Sequence, residues 1–171
     1  MVLTLLIFVV ITALIFEYIN GFHDSANAIA TVVSTKVLSA RAAILYAGVL
    51  NIFGAFMGTH VASTIGKGIV ATDSVTQGVI LCALLSAIIW NLITWYYGIP
   101  SSSSHALIGG LIGAAISKAG YHVVLFDGVT KKVLIPMITS PLLGFAIGFL
   151  CMVTILWMCS KAKPNTVNKY F

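Results

Sequence analysis

The chain has 171 residues, of which 60% are hydrophobic and only 8% are charged. A soluble domain carries about 25% charged residues, so this composition excludes an ordinary water-soluble globule, and the high hydrophobicity excludes a disordered chain. The net charge of +5 comes from basic residues scattered between apolar windows, which argues against a nucleic-acid partner. We therefore expect an all-α, polytopic membrane protein embedded in a lipid bilayer.

The first apolar stretch extends to about residue 35 and is interrupted by polar residues between 17 and 25. One unbroken helix of that length would measure roughly 50 Å, far more than a bilayer core of about 30 Å. We therefore predict a span over 2–20, a break near Asn20 and Gly21, and a separate half-helix over 25–35.

The uncharged windows that follow predict four further spans, over 42–62, 75–97, 106–118 and 133–158. The window 74–117 is too long for one crossing, and we expect it to break at Gly98-Ile99-Pro100-Ser101, because glycine and proline interrupt helices. The short fourth span and the half-helix are typical of broken or re-entrant segments. The chain is thus predicted to hold about five transmembrane helices in one membrane domain, 1–160, followed by a polar basic tail, 161–171.

Three of the predicted spans carry two glycines at positions four apart. Small residues at this spacing allow helix backbones to approach closely in lipid. We expect close packing, within the chain or between copies, at Gly54/Gly58, Gly109/Gly113 and Gly144/Gly148.

The first polar interruption contains Asp24, with apolar sequence on both sides. A carboxylate at membrane depth is costly and marks a functional site by default, although Asp24 could also simply cap the half-helix. Asn27 lies on the same helix face as Asp24, and Asn20 lies one turn earlier. With backbone carbonyls freed at Gly21, these oxygens are suited to a cation such as Na⁺, which a proton on Asp24 could replace. Their spacing is poor for a zinc site.

The second interruption is a run of four serines before the helical stretch 106–117. One serine is enough to cap a helix. Four hydroxyls beside free N–H groups and the positive end of a helix dipole favour an anion site, with a polar loop as the alternative. The predicted anion ligands are Ser101, Ser102, Ser103 and Ser104.

The two interruptions together suggest a coupled site. The apolar windows contain no Lys or Arg, so an anion there would be held by neutral donors while Asp24 repels it. Two unit charges about 4 Å apart cost roughly 4 kcal/mol at an effective dielectric near 20. A cation or proton on Asp24 removes that cost, so we expect cation-coupled anion symport. The secondary site candidates are Asn91, His105, Glu17 and Thr31.

Both interruptions resemble signatures of one family. Residues 21–28, Gly-Phe-His-Asp-Ser-Ala-Asn-Ala, resemble the G-A-N-D-x-A-N-A signature of the inorganic phosphate transporter (PiT) family, in the F-H-D form of its bacterial low-affinity members. The stretch from Trp90 to His105, which includes Pro-Ser-Ser-Ser-Ser-His, looks like the second family signature. The resemblance extends from roughly residue 10 to residue 158.

This resemblance implies secondary transport of inorganic phosphate driven by Na⁺ or H⁺, in bacterial relatives partly as a neutral complex of phosphate with a divalent metal. By match, Asp24 and Asn27 look like cation and substrate ligands, and the serines 102–104 look like phosphate-binding hydroxyls. His23 stands where the family more often has Asn, beside the cation ligands. The family has two inverted repeats with the substrate site between them, and this chain resembles only the first.

Several alternatives remain at this level. Some relatives carry sulfate, and a single repeat could be an inactive remnant or a subunit that needs a second half or another copy. An intramembrane enzyme is excluded, because one deep Asp cannot form an aspartyl dyad and no G-x-S-x-G elbow occurs. We expect a multi-pass protein of the cell membrane that has no cofactor.

Overall fold

In the computed structural model, the residues described are 2–57 and 68–160. They form the long helices α1 (Val2–Ser34), α2 (Ala40–Met57), α3 (Gln77–Tyr96) and α4 (Ser103–Ala119), the short α5 (Phe126–Val129), and α6 (Ile135–Cys159). Single helical turns occupy Thr72–Ser74, Tyr121–Val123 and Thr130–Leu134. No strand occurs in these two ranges, so the predicted all-α class is confirmed.

Within the described ranges, three helical stretches are long and apolar enough to cross a membrane: Val2–Ser34, Gln77–Tyr96 and Phe126–Cys159. A shorter apolar helix covers Ala40–Phe56, and α4 has 17 residues. Each of the five predicted spans therefore corresponds to a helix in the structure. Residues 58–62 of the second predicted span, Gly58 of the first glycine pair, and the predicted tail lie outside the described residues.

The predicted break near Asn20 and Gly21, with its separate half-helix over 25–35, is wrong, because α1 continues through both. One glycine inside a helix costs only about 1 kcal/mol relative to alanine, and this stretch has no proline. Of the polar side chains that suggested a break, Asn20 contacts Glu17 on this helix, and His23 and Asp24 contact side chains of α3 and α4. The predicted break at Gly98-Ile99-Pro100-Ser101 is confirmed.

The chain divides into two compact units, Met1–Val129 and Thr130–Phe171. In the second unit, α6 contains Pro141 in its interior. The first unit holds both polar motifs and is built on the contact of α1 with α3. Their apolar core consists of Phe16, Ile19, Leu84, Ala87 and Ile88.

Helices α3 and α4 form an antiparallel hairpin, which we call the α3–α4 hairpin. At its base, Ala71 N–H donates to Val123 O and Leu125 N–H donates to Ile69 O, both at 2.9 Å. Halfway along, the helices approach closely at Gly110, where an added Cβ would lie 2.7 Å from the carbonyl oxygen of Ala83. Residues 97–102 connect the two helices, and we call residues 97–105 the hairpin tip.

The glycine that permits this close approach was not among those predicted. An added Cβ would meet no atom within 4 Å at Gly109 or Gly113, or at Gly54 and the pair Gly144/Gly148 in their own helices, counting only the described part of the chain. Within the described part of the hairpin, the close approach is therefore at Gly110 and not at Gly109 or Gly113. Packing of the predicted glycine pairs against another copy of the chain stays a prediction.

Candidate functional site

His23 connects the two polar motifs at the level of the hairpin tip. Its polar side chain is buried, in a helix whose other residues are largely apolar. His23 Nε2 lies 3.1 Å from Thr94 Oγ1 on α3, and Nδ1 lies 3.1 Å from Asp24 Oδ1. An edge-on contact of Phe22 with Trp95, with ring centroids 5.6 Å apart, packs beside it. This part of α1 is therefore held against the end of α3.

The Asp24 carboxylate accepts a hydrogen bond from the α3–α4 hairpin, in addition to its contact with His23. Ser103 Oγ, at the first residue of α4, donates to Asp24 Oδ1 at 3.1 Å. Ser103 is 1% exposed, whereas the Asp24 side chain is 45% exposed. The two sequence motifs, 79 residues apart, thus meet at a carboxylate that is anchored on one side and accessible on the other.

The hydrogen bonds around His23 can be made in two ways. Thr94 Oγ1 lies 3.0 Å from Trp90 O and 3.1 Å from Asn91 O, besides its contact with His23. A hydroxyl has one proton. Thr94 can donate it to His23 Nε2, so that Nδ1–H donates to the carboxylate. Alternatively, Thr94 donates to a backbone carbonyl and accepts from Nε2–H of His23. Nδ1 of the neutral imidazole then carries no proton, so its contact with Asp24 Oδ1 requires one further proton, on Nδ1 or on the carboxylate.

The segment with the four serines, residues 101–104, caps α4 and forms part of the hairpin tip. Gly98 has a positive φ of 64°, a conformation that glycine adopts without strain, and the chain turns there after α3. Ser102 is the N-cap of α4, because its Oγ accepts from the backbone N–H of His105 at 3.3 Å. Ser101 Oγ accepts from Trp90 Nε1 at 3.1 Å. The hydroxyl protons of Ser101 and Ser102 are therefore still available for donation.

A cavity of about 980 Å³ runs along the α3–α4 hairpin. At the tip it is lined by Trp90, Ser101, Ser102 and His105, and at the base by Thr76 and Lys118. Lys118 Nζ donates to Thr76 Oγ1 at 3.0 Å. Hydroxyl and imidazole groups thus face one end of the cavity, and one ammonium group lies at the other.

Not all predicted site residues come together. His23, Asp24 and Ser103 are in direct contact, and Ser104 and His105 are exposed beside them. Asn20 Nδ2 reaches Glu17 Oε2 at 3.5 Å, rather than joining Asp24. Asn27 and Thr31 are exposed further along α1.

The carbonyls predicted to be freed at Gly21 are not available as ligands. They lie in an uninterrupted helix, where each carbonyl accepts from the N–H four residues later. A cation at this level would therefore have to be bound by side-chain oxygens, such as those of the Asp24 carboxylate.

Asn91 is fully buried on α3, and neither of its side-chain polar atoms has a hydrogen-bond partner among the described residues. It precedes Thr94 by three residues and therefore lies on the same helix face. Burying an amide without a partner costs several kcal/mol on transfer scales, so apolar packing does not account for this residue. The prediction that Asn91 belongs to the site stays a prediction.

Sequence reasoning did not select Thr94, although this residue anchors His23. The available signal was a β-branched hydroxyl on the same face of an apolar helix as Asn91. Such a threonine commonly donates only to its own helix, and nothing in the local sequence shows that its oxygen also meets α1.

Comparison with known proteins assigns the chain to a family. The model of the phosphate transporter family matches residues 20–171. The chain belongs to the phosphate transporter family. It is 50% identical to a probable low-affinity inorganic phosphate transporter of Bacillus subtilis, over 99% of this chain and 51% of that protein. It is 47% identical to a protein of the same description from Streptomyces halstedii, over 100% of this chain and 80% of that protein.

A solved structure described as the sodium-dependent phosphate transporter is similar to this family member, with a TM-score of 0.83 and 33% identity. The similarity covers 90% of this chain and 40% of that one. The family resemblance drawn from the two motifs is confirmed. Family members are transporters and not enzymes, and this member is a multi-pass membrane protein. It spans about half the length of the Bacillus subtilis relative and less than half of the solved structure.

Proposed function

We propose that this chain takes part in the uptake of inorganic phosphate, coupled to a cation that binds at Asp24. The observation that carries the proposal is the hydrogen bond from Ser103 to Asp24. It joins a candidate cation ligand and a candidate anion ligand in one contact. The descriptions of the relatives as phosphate transporters support the choice of anion.

Phosphate at the hairpin tip would be bound by neutral donors. The hydroxyls of Ser101 to Ser104 surround the start of α4, where backbone N–H groups and the helix dipole favour an anion. Asp24 opposes that anion, because two unit charges about 4 Å apart repel by roughly 4 kcal/mol at an effective dielectric near 20. A bound cation removes this repulsion, so the cation and phosphate bind together more tightly than either binds alone.

The coupling cation is Na⁺ or H⁺. Na⁺ is supported by the description of the similar solved structure as sodium-dependent, and by the exposed half of the Asp24 carboxylate. H⁺ is supported by the two hydrogen-bond arrangements around His23, which differ by one proton. Asn27, one turn beyond Asp24, is proposed as a further ligand shared by cation and substrate. Phosphate complexed with a divalent metal carries less charge, which would lower the repulsion in the same way.

A complete site is proposed to need a second half or a second copy of this chain. The tip offers four hydroxyls and one helix start, and Ser103 is already engaged by Asp24. A phosphate dianion has four oxygens that each accept hydrogen bonds, so further donors from another segment would complete its shell. The longer relatives have additional chain that could provide them.

Uptake of radiolabelled phosphate into proteoliposomes tests this proposal. The chain is reconstituted alone and together with the remaining half of the Bacillus subtilis relative, under an imposed Na⁺ gradient or an imposed pH gradient. We expect concentrative uptake under one of the two gradients, and Asp24→Asn should abolish its dependence on that gradient. The matched control is Asp73→Asn, an exposed carboxylate outside the site, which should leave the gradient dependence unchanged.

Two results would contradict the proposal. One is full gradient-driven uptake by Asp24→Asn, since that carboxylate would then not bind the coupling ion. The other is a preference for radiolabelled sulfate over phosphate, which would assign the site to the sulfate-carrying relatives instead.

A further inference from the structure

Ser103 differs from the other serines of the hairpin tip in what its hydroxyl does. It donates to Asp24 Oδ1 at 3.1 Å and is almost completely buried. In the described part of the chain, Ser101 and Ser102 accept hydrogen bonds, from Trp90 and from the His105 backbone N–H, and donate none, and Ser104 is exposed. Among these four serines, Ser103 is thus the one whose proton is already given to a charged acceptor.

We propose that Ser103 couples the two ligands by exchanging its hydrogen-bond acceptor. While Asp24 is unneutralised, the Ser103 hydroxyl donates to the carboxylate and is withheld from phosphate. Once Asp24 is neutralised, the same hydroxyl donates to phosphate. This inference rests on the proposed function and adds to it the residue through which the cation raises phosphate affinity.

The exchange follows because a hydroxyl can donate only one hydrogen bond. A serine has one O–H to donate, and a hydrogen bond to a charged acceptor is about twice as strong as one between neutral groups. Asp24 and phosphate are both anionic acceptors, so they compete for that proton. The unprotonated oxygens of phosphate only accept hydrogen bonds, so they need the Ser103 proton, and its lone pairs could serve only a P–OH group.

The geometry at Asp24 leaves room for a cation while Ser103 is still bound. Oδ1 receives both Ser103 Oγ and His23 Nδ1, each at 3.1 Å. No hydrogen bond from a described residue engages Oδ2, and the side chain is 45% exposed. A cation can therefore approach Oδ2 first, withdraw charge from the carboxylate and weaken its hold on Ser103.

A double-mutant cycle on phosphate affinity tests the exchange whichever cation couples transport, because Asp24→Asn neutralises the carboxylate directly. Equilibrium binding of radiolabelled phosphate is measured for the purified chain together with the remaining half of the Bacillus subtilis relative in lipid nanodiscs, in Na⁺-free buffer at one pH. With Asp24 present, Ser103→Ala should change the phosphate Kd by less than about threefold. In the Asp24→Asn background, Ser103→Ala should raise the Kd by about tenfold or more.

Ser104→Ala is the matched control, because Ser104 makes no hydrogen bond to Asp24 within the described residues. Its effect on the phosphate Kd should be the same factor in both backgrounds. Ser103→Cys keeps the size of the side chain but is a weak donor. It should reproduce the Ser103→Ala pattern, so the test does not depend on how the alanine variant folds.

The outcomes separate this inference from the proposed function. Equal effects of Ser103→Ala in the two backgrounds, with phosphate bound, would overturn the exchange and leave phosphate binding intact. A larger effect with Asp24 present would also overturn it. Absence of phosphate binding in every variant, including Asp24→Asn, would overturn the proposed function and this inference together.

Discussion

The contact of His23 with Thr94 places an imidazole inside an otherwise apolar helix pair. His23 is 6% exposed and Thr94 is 2% exposed, so water does not replace a lost partner easily. A buried polar atom left without its partner costs about 1–3 kcal/mol. The fixed imidazole in turn orients the Asp24 carboxylate, whose Oδ1 also accepts from Ser103.

Thr94→Val is expected to lower the free energy of unfolding by about 1–3 kcal/mol, because it leaves His23 Nε2 buried without a partner. The measurement is denaturant titration of the purified chain in detergent micelles. Thr139→Val is the matched control, since Thr139 is exposed and its hydroxyl donates only to the Ile135 carbonyl of its own helix. Equal losses for the two variants would show that the contact with His23 contributes no stability.

At the scale of residues, the sequence predicted which polar residues matter better than it predicted which of them contact each other. Asp24 and the serine run were selected because polar groups are costly in apolar windows, and that argument needs only local sequence. The contacts of His23 with Thr94 and of Asp24 with Ser103 join positions 71 and 79 apart. Which residues meet over such distances depends on the rotation of each helix, which periodicity leaves open when a helix is apolar on every side.

At the scale of elements, the α3–α4 hairpin determines where the serines lie. Both its break and its serine cap were predictable, because Gly98 and Pro100 interrupt helices and a serine favours an N-cap. The continuous α1 was not predictable from length, since the helix exceeds a bilayer core of about 30 Å and still does not break. His23 and Asp24 find side-chain partners on the neighbouring helices while the backbone around them stays helical.

Gly110→Ala tests the close approach within the hairpin. The new Cβ would lie 2.7 Å from Ala83 O and 3.3 Å from Ser86 Cβ, so the helices must move apart. Overpacking of this kind costs about 1–3 kcal/mol, which thermal unfolding in micelles would measure as a lower Tm.

Gly109→Ala is the control for this prediction, because its Cβ meets no atom of the described residues within 4 Å. Alanine is a better helix former than glycine by about 1 kcal/mol, so this variant should be neutral or more stable. A Gly110→Ala variant as stable as Gly109→Ala would contradict the packing described for the hairpin.

At the scale of the whole molecule, the chain is a family member, and the described part of its first unit contains the contact between the two polar motifs. The low charge content predicted a membrane protein, and the helices agree with it. The grouping of helices into units was not predictable, because apolar windows report length and hydrophobicity but not which helices pack together. The central claim is that this site binds phosphate at the hairpin tip beside a neutralised Asp24.

Anomalous diffraction from crystals grown with arsenate and the coupling cation tests that claim most directly, since arsenate has the shape and charge of phosphate. We predict an arsenic peak at the hairpin tip, with arsenate oxygens within hydrogen-bond distance of Ser103 Oγ and Ser104 Oγ. The Ser103 hydroxyl should then no longer contact Asp24. An arsenic peak only beside Lys118 at the base of the hairpin, or arsenate at the tip with the bond from Ser103 to Asp24 intact, would contradict the account.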